Sequence, residues 1–234
     1  MLTIKLVRHG ESEANIGKVT SQEVGDHEIS LSEHGHAQTR EAGRVIGSEF
    51  LQGALVYTSP YRRTRQTLAN ILSGASVVDA SAGESASELR RDLTHAIRVY
   101  EDPRLREVEH GYEAVAEQEE LRKVHGWFYY RFRGGESPAD CYDRTSSFLE
   151  SMMRQAERKK TDRILIVTHG LLIRCFVMRF LHLSVEQFDG LANPVNCAVV
   201  TLADKTTLDN PQFTSGKWGV SGLALRPDSE MSEA

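Results

Sequence analysis

Ile164-Leu165-Ile166-Val167 is an unbroken apolar run with no polar face. A strand of that kind holds together only when both of its faces are covered, as in the centre of a parallel sheet within layered α/β folds. The run ends in Thr168-His169-Gly170, and a second strand-like run, Thr3 to Val7, ends in Arg8-His9-Gly10-Glu11-Ser12. If the two strands are neighbours, their histidines lie side by side at the C-terminal edge of the sheet, where such sheets bind ligands.

The rest of the chain fits that layout, with apolar strands alternating with segments of helical period. A polar loop from about Glu11 to Ile29 follows the first strand. Ser32 caps a helix expected to run to about Phe50, with Ala37, Ala42, Val45 and Ile46 inward. Ala54 to Tyr57 reads as a strand, and the helix behind Ser59-Pro60 takes Pro60 as its first residue. Val77-Val78 reads as a weak third strand. Between about 80 and 103, Leu89, Leu93, Ile97 and Tyr100 recur at helical spacing, the pattern of an inserted amphipathic helix. Its role is left open between surface packing, a lid and a subunit contact. Ser137-Pro138-Ala139-Asp140 starts a helix that buries Tyr142, Phe148, Leu149, Met152 and Ala156. The helix after Gly170 is apolar nearly all round, and Cys197 to Leu202 makes a last strand. The expected architecture is a three-layer α/β/α sandwich with a mostly parallel central sheet and an antiparallel edge strand. Residues 1–225 form one domain, and 226–234 an acidic, frayed tail.

The chain has 234 residues and a formal charge of -5, which argues against a nucleic-acid partner. Its 3 cysteines form no C-x-x-C pair, so neither a disulfide framework nor a zinc knuckle is encoded. The most apolar stretch, Leu171 to Leu183, is interrupted by Arg174, Arg179 and His182, which excludes a membrane span. The first strand starts next to Met1, so no leader is expected and a cytoplasmic enzyme is the default. His34 and His36 suggest zinc, but no further cluster completes a site, and they are expected on the surface.

His9, His169, the cluster Arg62-Arg63-Thr64-Arg65 and the carboxylate region Leu105-Arg106-Glu107 together suit phosphoryl transfer. That reaction needs a nucleophile, cations around the equatorial oxygens and an acid for the leaving oxygen. Neutral imidazole attacks phosphorus without first losing a proton, provided its other nitrogen donates to a fixed acceptor such as a carbonyl in the Gly10 turn. His9 is assigned the attack. His169 stands at a helix N-terminus, whose field lowers its proton affinity until a phosphate dianion raises it. Arg8 and Arg63 supply forked, permanently charged donors.

Taken together, these motifs resemble the histidine phosphatase superfamily, also called the phosphoglycerate mutase-like family. The pattern R-H-G-x-S-x-x-N is met by Arg8 to Asn15, L-[ST]-x-x-G-x-x-Q by Leu31 to Gln38, and S-P-x-x-R-x-x-Q-T by Ser59 to Thr67. The second family histidine falls on His169. The resemblance implies a phosphohistidine at His9 in a pocket of Arg8, Arg63 and His169, with Asn15 and the Gly170 backbone as further donors. It makes Arg63, rather than its neighbours, the phosphate ligand. The pattern L-x-E-x-x-x-G picks Glu107 as general acid, with Glu109 as the alternative. No cofactor is implied, and the partner is a small phosphorylated metabolite.

Within the family the mutase motif L-N-E-R-x-Y-G is broken here, with Val108 and His110 in place of Arg and Tyr. Hydrolysis of a phosphomonoester is therefore expected over 2,3-bisphosphoglycerate-dependent mutation of phosphoglycerate, which stays the alternative. A non-catalytic phosphate binder is the third reading. A stretch Tyr130-Arg131-Phe132 with Gly135-Glu136-Ser137 and Asp140 resembles a phosphatase-like subgroup, as does Val185 to Pro194. Trp127 to Tyr130 are expected to shape a substrate entrance or to pack locally. The sequence carries no signal of oligomeric state.

Overall fold

The computed structural model describes residues 1–77, 97–111 and 118–226. The apolar run at 164–167 is fully buried within β4 (Arg163–Thr168), flanked in parallel by β1 (Thr3–Arg8) and β2 (Leu55–Thr58). β3 (Arg98–Glu101) adds to β2, again in parallel. On the other side of β1 lie β5 (Val199–Asp204), β7 (Trp218–Ser221) and β6 (Phe213–Ser215), all antiparallel to their neighbours. The sheet therefore has 7 strands in the order β3-β2-β4-β1-β5-β7-β6. Its antiparallel part is a three-strand extension where the sequence suggested a single edge strand.

Period-two alternation sorts the strands between two cores. Ile4, Leu6, Tyr57, Ile164 and Ile166 pack beneath α6 (Pro138–Lys159) and α7 (Gly170–Leu181). Val7, Val56, Val99, Leu165 and Val167 face α4 (Arg62–Gly74) and the end of α2 (Glu33–Ile46). The shorter helices α1 (Ser21–Val24), α3 (Ser48–Leu51), α5 (Glu119–His125) and α8 (Val185–Asp189) complete the layers. Ser137 caps α6 in a capping box with Asp140, as its sequence implies. Among the described residues no helix is long and apolar enough to cross a membrane.

Several sequence expectations are corrected. The strand beside β2 is Arg98–Glu101 and not Val77-Val78, of which Val78 lies outside the described residues. Val99 is buried, while the Tyr100 ring lies 5.5 Å from that of Tyr57 across the sheet. Tyr100 therefore belongs to a strand and Ile97 stands just before it, so neither lies in a helix. Leu89, Leu93 and most of the expected insertion lie outside the described residues, as does the tail after Arg226. Helix α2 stops at Ile46, where Gly47 turns to a φ of 77°. Val45 is 72% exposed and Ala37 faces solvent, because small residues make the inner contact. A Cβ on Gly35 would lie 2.0 Å from the Glu11 carbonyl oxygen, and one on Gly43 2.3 Å from that of Ile71. Pro60 is not the first helical residue. Ser59 still belongs to the sheet through its N–H on the Val167 carbonyl, so the turn occupies Pro60 and α4 starts at Arg62.

Candidate active site

Strand register decides where the two histidines meet. Arg8 pairs with Thr168 and Thr58 with Val167, so the next residues, His9, His169 and Ser59, share one sheet edge. The His9 N–H donates to the Thr168 carbonyl at 2.9 Å. The two imidazole centroids are 5.3 Å apart with ring planes inclined at 62°. Gly10 allows the tight exit from β1, since a Cβ there would lie 2.6 Å from Thr39 Cγ2.

Hydrogen bonding fixes both tautomers. His9 Nδ1 lies 2.8 Å from the Gly10 carbonyl oxygen, which only accepts, so Nδ1 carries the proton and Nε2 keeps its lone pair. Burial, then the Arg63 guanidinium, holds the His9 ring well below the ordinary imidazole range. It is a neutral imidazole at neutral pH. His169 is fully buried, with Nε2 2.9 Å from Ser59 Oγ and Nδ1 3.4 Å from Arg63 Nη2. A guanidinium only donates, so the proton sits on Nε2 and goes to Ser59. Its proton affinity is also well below normal, for burial first and then Arg63 and His9. The sequence argument from the helix field gave the right direction with a different leading cause.

Arg63 is almost wholly buried. Its Nη1 and Nη2 fork onto the Asp26 carboxylate at 2.9 and 3.1 Å, and Nη1 also donates to the Asp26 carbonyl at 2.5 Å. Arg8 donates from Nη1 to the Pro194 carbonyl at 2.6 Å, while its buried Nε has no hydrogen-bond partner among the described residues. The Asn15 amide oxygen accepts from Ser12 N and Ser12 Oγ, both at 3.0 Å, and from Asn196 Nδ2 at 3.2 Å. With its oxygen so occupied, the Asn15 NH₂ is the group left to donate to a ligand.

The carboxylate segment is held from beneath. Thr168 Oγ1 donates to the Leu105 carbonyl at 2.8 Å, and the Glu136 N–H donates to the Glu109 carbonyl at 2.8 Å. The Glu136 side chain pairs with both Arg106 and Arg144. The Gly-Glu-Ser stretch thus anchors the loop that carries Glu107, one of whose oxygens accepts from the Val108 N–H at 3.0 Å. Of Trp127 to Tyr130, Phe128 and Tyr130 are buried, Trp127 lies against Phe188 and Tyr129 is exposed.

A cavity of about 890 Å³ opens above this edge, with Arg8, His9, Asn15, Arg63 and Glu107 in its wall. His169 stands behind His9, and Gly170 lies beside Arg8, neither in the wall itself. Sequence reasoning missed Asp26, Ser59 and Tyr61. Ser59 and Tyr61 lie within a quoted motif and are given a role only by their contacts with His169, the Tyr61 ring at 5.0 Å. Asp26 sits in a polar loop without a pattern. Of the two histidines considered for zinc, His34 is exposed, whereas His36 is partly buried with Nδ1 2.9 Å from Asn70 Nδ2.

The sequence profile described as histidine phosphatase superfamily, branch 1, matches residues 4–90 and 81–214. The chain belongs to that superfamily. Phosphoglycerate mutase-like protein AT74 of Arabidopsis thaliana is 37% identical over 84% of this chain and 63% of its own length. The chain thus spans under two thirds of that relative. Broad-range acid phosphatase DET1 of Saccharomyces cerevisiae is 28% identical over 85% of this chain and 84% of its own. Among solved structures, mycobacterial glucosyl-3-phosphoglycerate phosphatase superposes with a TM-score of 0.68 at 20% identity, covering 94% of this chain and 97% of that one. That likeness establishes the shared fold. Within the superfamily fold, strand register brings His9, Ser59 and His169 to one edge, and the packing of α2 on α4 adds the motif from Leu31 to Gln38.

Proposed function

We propose that this protein is a phosphomonoester hydrolase working through a phosphohistidine on His9. One observation carries the reading: a buried neutral imidazole, its Nδ1 proton tied to the Gly10 carbonyl, stands in a cavity wall between two guanidinium groups. Its Nε2 lone pair attacks phosphorus as the bond to the leaving oxygen breaks. Arg8, Arg63 and Asn15 donate to the equatorial oxygens, where charge is spread in the transition state. The phosphate dianion raises the proton affinity of His169, which then holds a second proton and adds positive charge beneath the site. Glu107, protonated, gives its proton to the leaving alkoxide. The resulting carboxylate takes a proton from water as that oxygen attacks phosphorus, the P–N bond breaks and neutral His9 returns. Guanidinium and imidazole supply all the charge these steps require, so the mechanism calls for no metal or cofactor, and the substrate is a small phosphorylated metabolite.

The kinship with an acid phosphatase and the broken mutase motif at Val108 and His110 favour hydrolysis over phosphoglycerate mutation. Rapid quench with radiolabelled phosphomonoester is expected to trap an acid-labile, base-stable phosphoenzyme. Phosphate release from p-nitrophenyl phosphate is expected to survive EDTA. His9→Ala is expected to lose the phosphoenzyme and more than about a thousandfold of the turnover. Wild-type turnover in that variant removes His9 as the nucleophile, and no phosphate release by the unaltered protein returns the chain to the class of phosphate binders. Conversion of 3- to 2-phosphoglycerate that depends on 2,3-bisphosphoglycerate replaces the hydrolase reading with the mutase one.

A further inference from the structure

The cavity wall contains more negative charge than a generic phosphate pocket needs. Its permanent cations among the described residues are Arg8 and Arg63, both placed at the phosphate end beside His9. Its carboxylates are Glu107, the candidate acid, together with Asp26 and Glu109. The imidazoles of His27 and His110 also line it, and an imidazole is not a permanent charge at neutral pH. Asp26 already occupies the forked face of Arg63, with carboxylate oxygens at 2.9 and 3.1 Å. Its side chain is 41% exposed, whereas that of Arg63 is 6% exposed. The site therefore holds an anion of its own on the guanidinium that a phosphate would use.

We propose that Asp26 and Glu109 are specificity-determining residues that restrict this site to phosphomonoesters whose leaving group carries no second anionic charge. The inference rests on the hydrolase reading and deepens it. An arriving phosphate takes the Arg63 face and satisfies both guanidinium groups. The Asp26 carboxylate is then left facing the part of the ligand that projects towards the mouth. A second phosphate or a carboxylate on that part meets Asp26 and Glu109 with no further permanent cation among the described wall residues. A hydroxyl or an amine meets two acceptors instead. Repulsion of this kind is how a site rejects a ligand that otherwise fits.

The matched pair sn-glycerol 1-phosphate and 3-phospho-D-glycerate tests this, because they share the configuration at C2 and differ only in a hydroxymethyl group against a carboxylate. At pH 7.5 and low ionic strength, kcat/KM is expected to favour glycerol phosphate by about tenfold or more, and added salt is expected to shrink the ratio. Glu109→Gln, a change on an exposed side chain, and Asp26→Asn should each bring the ratio towards one. A wild-type ratio near one, or one that favours the carboxylate, overturns the proposal. So does a ratio that neither variant nor salt moves. The same pair measured as binding to His9→Ala by calorimetry reads selectivity without turnover. If wild-type protein releases no phosphate while this variant still prefers glycerol phosphate, the hydrolase reading falls and the charge selectivity stands.

Discussion

The floor of the cavity and its mouth are held in different ways. At the floor, His9 is 4% exposed and His169 fully buried, the first pinned by the carbonyl of the adjacent Gly10 and the second by Ser59, which strand register brings beside it. At the mouth, Asp26 follows the four-residue helix α1, and Glu109 and His110 stand exposed on an irregular segment. The floor fixes tautomers and charge to within a hydrogen bond, which transfer of a phosphoryl group requires. In the proposed function the mouth would meet the variable part of a substrate, where a change is expected to alter which molecule is accepted and to leave the reaction itself in place.

Changes at the floor should therefore cost turnover, in proportion to how directly the group touches the transferred phosphoryl. After His9 itself, Arg63→Ala is expected to lower kcat/KM by about a hundredfold to a thousandfold, the usual cost of removing one aimed donor. If steady-state kinetics show less than a tenfold loss, the floor is not where phosphate is held. Ser59→Ala removes the partner that fixes the His169 tautomer and should lower kcat by about threefold to tenfold with KM little changed. A change confined to KM would move Ser59 from the floor to substrate binding.

A smaller, global effect should separate the two regions by pH. His9 and His169 bind protons less readily folded than unfolded, where the value is 6.5. The unfolded chain thus takes up protons first as pH falls. Their contribution is intact above the unfolded value and is lost progressively as pH drops from about 6.5 towards the folded values. Melting temperature is expected to decline over that window in thermal scans. Saturating inorganic phosphate should reduce the decline by raising the proton affinity of His169. A profile flat from pH 7 to 5 would contradict burial of both rings.

Much of this molecule was legible as sequence because its signals are local. Ile164 to Val167 announce a doubly covered strand, Ser137 and Asp140 a capped helix, and Arg8-His9-Gly10 a polar turn at a strand end. The resemblance to the superfamily then singled out Arg63 among adjacent arginines. Period alone misled at Tyr100, whose offset of three from Ile97 suits one face of a helix, whereas β3 turns Tyr100 to the face opposite Val99. It also misled in α2, where Val45 looks inward by composition although Gly35 and Gly43 make the close contact.

By itself, then, the sequence determined the strand order's raw material, the two histidines and the cations that belong with them. Only the tertiary structure decided that Asp26 sits on Arg63, that Ser59 holds His169 and that Glu136 anchors the Glu107 loop. Those contacts join residues far apart in the chain, and no periodicity encodes them. They arise when parallel register brings separate strand ends to one edge and buries their polar groups, which must then find partners or remain costly to desolvate.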